Sequence, residues 1–160
     1  MNRNLFENYI LQKYIPLAKI QNAPFDIRIV MQKSMEMTWV CTGIECRVSG
    51  GNSHITNISR GGYALHLDDA LSRSFDKGFE SISQKIEDFC QKFCTYMDEM
   101  GEHFSELGID LAVDIDKNLW LIEANVFPSF KGFKAIDMET YLQIRYTPLQ
   151  YALMLTSFES

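Results

Sequence analysis

The sequence predicts an α+β domain: an antiparallel β-sheet with one long helix and C-terminal helices packed on one face. Three observations predict it. Two apolar runs flank the turn-forming trio Asp116, Lys117 and Asn118; two stretches near the amino terminus are rich in β-branched and aromatic residues; and an apolar stripe recurs at helical spacing from Phe75 to about Leu107. With 160 residues, 46% hydrophobic and 22% charged, the chain can bury one sizeable core, so a single domain spanning residues 1 to 160 is expected.

From the amino terminus, Phe6 to Ala18 (FENYILQKYIPLA) is mostly apolar and is broken by Pro16, which suits a strand or short helix running into the polar loop KIQNAP. Phe25 to Lys33 (FDIRIVMQK) alternates as a strand does, and Thr38 to Val48 (TWVCTGIECRV) has strand composition. A turn at Ser34 to Met37 would join them as an antiparallel pair. Asp26 and Arg28 then share a face, either as part of a cross-strand ion pair or with the arginine fork aimed at phosphate.

Ser49 to Tyr63 (SGGNSHITNISRGGY) carries Gly50, Gly51, Gly61 and Gly62 around a polar centre. Ordering so much glycine costs entropy, so the loop is either a mobile connector or a segment fixed by a ligand. Its backbone N–H groups, with Asn57 and Arg60, could cradle an anion. No Gly-Lys-Ser/Thr closes it, which excludes a Walker loop, and His54 reads as a lone exposed or satisfied side chain.

The helix follows. Phe79, Ile82, Ile86, Phe89, Phe93, Met97 and Met100 recur at spacings of three and four, with Ser74 or Asp76 placed to cap the start, Gly101 to loosen the last turns and Gly108 to stop them. Beyond it, Ile109 to Ile115 and Leu119 to Ala124 form the predicted hairpin. Its acids matter most. Asp110 and Glu123 fall roughly opposite one another, and Asn125 shares the face of Glu123 by the period-two rule. Two carboxylates and an amide oxygen at one point would suit Mg²⁺; the alternative is a solvated hairpin whose acids keep an edge soluble. After Pro128 a loop containing Gly132 leads to two short helical segments, the second entered at Pro148, with Lys131 and Lys134 near their start.

A net charge of −6 with scattered Lys and Arg argues against a general binder of nucleic acid or anionic membranes. No apolar run is long enough to span a bilayer, and MNRNLFENYI lacks the layout of a signal peptide, so a cytosolic chain is expected. Cys41, Cys46, Cys90 and Cys94 lack zinc spacing and read as reduced, apolar side chains.

PFDIRIVMQK at Pro24 to Lys33, TNISRGG at Thr56 to Gly62 and GIDLAVDIDKNLWLIEAN at Gly108 to Asn125, in that order, resemble the C-terminal half of an ATP-grasp domain, most closely the YheC/YheD type associated with endospore coats. The resemblance spans about Tyr9 to Leu155. It implies ATP with two Mg²⁺ ions ligated through Asp110, Glu123 and Asn125, Glu123 bridging the metals, and Arg28 beside the phosphates. It sets Asn57 and Arg60 at the transferred phosphate and the substrate carboxylate, and it places the adenine-reading hinge at Gln12, Lys13, Tyr14 and Ile15. The implied reaction activates a small-molecule or peptide carboxylate as an acyl phosphate, which an amine or thiol then attacks. Val126, Phe127 and Ser129 depart from the small residues often found after the asparagine. The family's N-terminal subdomain has only eight residues in which to precede Tyr9, so a fragment or truncated relative with weak or absent ligase activity on its own is expected. The alternative function is a non-catalytic module in assembly, with spore coat proteins as partners.

Overall fold

A computed structural model describes residues 13–50, 61–101 and 103–157. Its strands are β1 (Lys19–Ile20), β2 (Ala23–Lys33), β3 (Trp39–Val48), β4 (Tyr63–Leu65), β5 (Glu106–Val113) and β6 (Leu119–Asn125). Helices α1 (Leu67–Ser74) and α2 (Glu80–Glu99) lie between β4 and β5, and α3 (Lys131–Ile136) and α4 (Met138–Ser157) follow β6. All pairings are antiparallel, in the order β4-β3-β2-β5-β6, with β1 folded back on the start of β2. Gln21 and Asn22, both at positive φ, make that tight turn, a backbone region asparagine tolerates better than most residues.

Strand β2 is the axis of the sheet. It is buried without interruption from Phe25 to Lys33, because both faces are covered as well as both edges. On one face Phe25, Ile27, Ile29 and Met31, with Ile109 and Leu111 of β5, join Leu71 of α1 and Ile82, Ile86, Cys90 and Cys94 of α2 in the main core. On the other, Val30 meets Phe133 of α3 and Ile144 of α4. Gly43 of β3 makes room for this second layer: a Cβ there would stand 2.8 Å from Phe133 and 2.9 Å from Ile144. The helices therefore cover both faces, and the expectation of one covered face is corrected. The reason lies in the alternation of β2, whose outward set (Asp26, Arg28, Val30, Gln32) still contains an apolar residue to bury.

Three boundaries also move. The long helix starts at Glu80, five residues after Phe75, and ends at Glu99; Gly101, at φ 84°, stops it, while Leu107 and Gly108 belong to β5. Helix α1, unanticipated, is short and polar and buries only Ala70 and Leu71. Pro148 does not start a helix but sits inside α4. Proline has no N–H to donate to the carbonyl four residues back, that of Ile144. Buried Gln32 of β2 supplies the missing donor, its Nε2 lying 2.9 Å from the Ile144 oxygen, while its Oε1 accepts from Thr42 at 2.7 Å.

The predicted hairpin forms as expected. Asp114, buried at its tip, accepts hydrogen bonds from the backbone N–H groups of Asp116 and Asn118 (both 2.9 Å), from Asn118 Nδ2 (3.1 Å) and from Trp120 Nε1 (2.8 Å). These donors hold its carboxyl below the usual range against the opposing effect of burial.

Candidate functional site

The sheet face opposite α1 and α2 carries a row of charge. Arg28 on β2 lies between Glu45 of β3 and Asp110 of β5, and Asp110 in turn lies opposite Glu123 of β6. Next to this row Asp26 faces Arg47. Partners directly opposite in an antiparallel ladder point to the same side, so the register brings six ionisable groups onto one surface.

Asp110 is the centre. Arg28 grips it with two prongs, Nε to Oδ1 and Nη2 to Oδ2, the second at 2.8 Å. Arg47 adds a third bond, Nη2 to Oδ2 at 2.8 Å, while holding Asp26 bidentately at 2.7 and 2.8 Å. Burial alone would raise the Asp110 carboxyl, which is 2% exposed; the two guanidinium groups outweigh it and keep the pKa below the ordinary value. Asp26 and Arg28, whose partners spacing left open, thus pair across strands in a buried network.

Glu45 behaves oppositely. Burial pushes its carboxyl up to about 7, with Arg47 and Arg28 only partly compensating. Among the described residues its Oε2 has no hydrogen-bond partner, and Gly132 of α3 lies so close that a Cβ there would fall 2.0 Å from it.

Glu123 is exposed and accepts from Asn125 Nδ2 at 2.9 Å. Asn125 pairs with Gly108, and the missing side chain at Gly108 admits Pro128, whose Cβ would lie 2.4 Å from a Cβ at that position. The chain thereby turns back over β5, and the Ser129 carbonyl accepts from Arg28 Nη1 at 3.3 Å. The segment after the asparagine is in this way tied to the arginine.

Of the residues singled out by sequence, Arg28, Asp110, Glu123 and Asn125 come together on one face. Lys13, Tyr14 and Ile15 precede the isolated Leu17–Asp114 bridge, with Lys13 Nζ 5.1 Å from the Trp120 ring centre and Tyr14 largely exposed. Gln12, Asn57 and Arg60 lie outside the described residues. Among the described residues no three His, Cys, Asp or Glu side chains converge on a metal position, so the candidate set is two carboxylates and an amide. The four cysteines are free thiols. Sequence reasoning missed Arg47 and Glu45; the available signal was their period-two spacing on β3, which sets both on the face that Asp26 and Arg28 share.

A family model described as YheC/D like ATP-grasp matches residues 1–155. The chain is 27% identical over 164 residues to the endospore coat-associated protein YheC of Bacillus subtilis (strain 168), an alignment covering 98% of the chain and 43% of that protein. It is 26% identical over 125 residues to the endospore coat-associated protein YheD of the same organism, covering 76% of the chain and 26% of that protein. The chain thus spans less than half the length of either relative.

Proposed function

This chain belongs to the YheC/D-like ATP-grasp family, and we propose that it forms the C-terminal half of an ATP- and Mg²⁺-dependent carboxylate ligase, its metal-facing residues being Asp110, Glu123 and Asn125. One observation carries the proposal: the register that sets Asp110 against Glu123, with Asn125 on the same face and Arg28 beside them.

The donor chemistry fits a hard divalent cation. All three side chains offer oxygen, and Mg²⁺ is usually held by one or two carboxylates together with substrate phosphates and water. Arginine bonds occupy three of the roughly four lone-pair positions on Asp110, leaving one on Oδ1. Glu123 is solvent-facing, with its Oε2 uncommitted among the described bonds. When bound, the metal neutralises charge on the phosphate groups and orients them.

The remaining work falls to the chain's own cations. Among the described bonds Arg28 spends three of its five N–H donors on Asp110 and Ser129, and Arg47 spends three on Asp26 and Asp110, so each keeps two for an anion. Because both guanidinium groups are already fixed by a shared carboxylate, they would meet developing phosphoryl charge with little reorganisation. We assign Asn57 and Arg60 to the transferred phosphate and the substrate carboxylate, and the Gln12 to Ile15 stretch to the adenine, on the family resemblance. The substrate is a small-molecule or peptide carboxylate, and the rest of the nucleotide cleft comes from sequence that the longer relatives possess.

A second function, non-catalytic assembly in a spore coat, is favoured by the names of both relatives and by the arginine clasp that already balances Asp110. Calorimetric titration of Mg²⁺-ATP into the full-length protein, in which the cleft is complete, separates the two. In the ligase reading the parent binds and Glu123→Gln and Asn125→Ala each abolish binding, with circular dichroism unchanged because both sites are on a partly exposed edge strand. No binding in the parent, or binding indifferent to both substitutions, leaves the assembly module standing.

A further inference from the structure

Helix α4 is apolar on two opposite sides. Ile144, Thr147, Tyr151 and Met154 face the sheet and are buried. Met138 (51% exposed), Leu142 (44%), Tyr146 (58%), Leu149 (59%) and Leu153 (71%) stand in solvent. At about 100° per residue these five fall within a sector of roughly 80°, centred nearly opposite the buried set. They form one continuous stripe along a helix of 20 residues. An exposed apolar stripe of this length on a surface helix is a contact surface.

We infer that this stripe is the contact face of a two-fold symmetric dimer of this chain, with α4 running antiparallel to its copy. The spacing selects that arrangement. Leu142, Tyr146, Leu149 and Leu153 are separated by 4, 3 and 4 positions, a pattern that reads the same in either direction. About a two-fold axis between residues 147 and 148, Leu142 of one copy meets Leu153 of the other and Tyr146 meets Leu149. The knobs of a 3-4 helix pair are spaced in this way, and an isologous contact needs a surface complementary to itself.

Charge favours the same occupant. The chain carries a net −6, so two copies repel through most of their surface. Helix α4 is the exception: Glu139 and Arg145 are its charged residues and they cancel. The area sets the strength. Five side chains, each about half exposed, offer roughly 500 Å² per copy and roughly 1,000 Å² in all, at the lower edge of what a specific interface buries. The dimer is therefore weak and concentration-dependent, with dissociation in the micromolar range or above.

Sedimentation velocity on the chain, without nucleotide, from about 1 to about 300 µM tests this. The expected result is a rise from monomer to dimer that Leu149→Glu and Leu153→Glu each weaken more than tenfold, while thermal melts stay close to the parent because both side chains are exposed. The register is tested separately in a Cys41→Ser background, which removes the exposed native thiol. A mixture of Leu142→Cys and Leu153→Cys chains should oxidise to a disulfide-linked dimer joining one chain of each kind, and neither variant alone should do so. Monomer throughout the concentration range overturns the inference and assigns the stripe to another partner. A dimer unaffected by the glutamate variants, or cross-linking within a single variant, overturns it as well.

Discussion

Replacing Asp110 by asparagine removes the one negative charge that both Arg28 and Arg47 share, without changing the volume of the side chain. Arg47 keeps its bidentate bond to Asp26, but Arg28, only 5% exposed, is left with the Ser129 carbonyl and with Glu45, whose carboxyl is pushed up to about 7 and so carries only part of a charge at neutral pH. Breaking a buried pair by removing one partner costs about 3 to 5 kcal/mol, and because Arg47 stays compensated the lower end, about 3 kcal/mol, is expected here. For a domain of this size that corresponds to a fall in Tm of roughly 6 to 12 °C. The pH dependence has a definite sign. Asp110 has a depressed pKa in the folded state, so its contribution is complete above the unfolded value of about 3.9 and fades as the pH falls through the lower folded value. Urea unfolding of parent and Asp110→Asn at pH 7, 4 and 3 measures both effects. A penalty under about 1 kcal/mol at pH 7, or a gap that does not narrow between pH 4 and pH 3, would refute the assignment of Asp110 as the ionised centre of this network.

Glu45 should respond in the opposite direction. Its pKa is raised to about 7, so its stabilising share is full below the unfolded value and is lost as pH rises through neutrality; Glu45→Gln is expected to be more stable than the parent at pH 8 by roughly 1 to 3 kcal/mol and to lose that advantage near pH 4, as urea midpoints would report. Gly132→Ala drives a methyl group into the Glu45 carboxylate and should cost roughly 1 to 3 kcal/mol, a loss that pairing it with Glu45→Ala should largely relieve in a double-mutant cycle. Native chain treated with a thiol-titrating disulfide should react slowly at Cys41 alone, whose thiol burial raises to about 11, while guanidinium chloride should expose all four thiols; fast labelling of a second thiol in the native state would contradict the buried positions of Cys46, Cys90 and Cys94.

What could be read from sequence was the part governed by short-range pattern. Counting through a short turn brings Glu123 close to Asp110, and a one-residue register shift beyond Leu121 completes the pairing; the strands at Phe25 to Lys33 and Thr38 to Val48 follow from composition and alternation. The helix overran because Phe104 and Leu107 continue the spacing of its stripe, although both now contribute to the core from beyond Gly101. Local pattern makes Pro148 a helix start, because the remedy that lets it sit inside α4 lies 116 positions away, in the side chain of Gln32. The same limit hid the charge network. Period-two spacing puts Arg47 on the face of Glu45 but does not name its partners; its role emerges only when β3, β2 and β5 lie side by side and its fork reaches past Asp26 to Asp110. The placement of helices on both faces was likewise beyond local reach, since Val30 among polar neighbours looks like an accident until Phe133 and Ile144 cover it.

The hairpin tip has a consequence for chemistry at the far end of the ribbon. A strand that slips by one position turns every side chain over, and among the described strands β6 is at the edge with a partner on one side only, the kind most prone to such slippage. Asp114 opposes it by binding Asn118 and Trp120 at the strand's entry, which fixes the register of Leu119 to Leu121, and the shift in pairing just beyond Leu121 then brings Glu123 opposite Asp110. Substituting this aspartate would not touch any group in the charged row, yet it would allow Glu123 and Asn125 to rotate towards the face that packs on α1 and α2. A residue at the bend thus acts at a distance as the selector of which surface carries the acid.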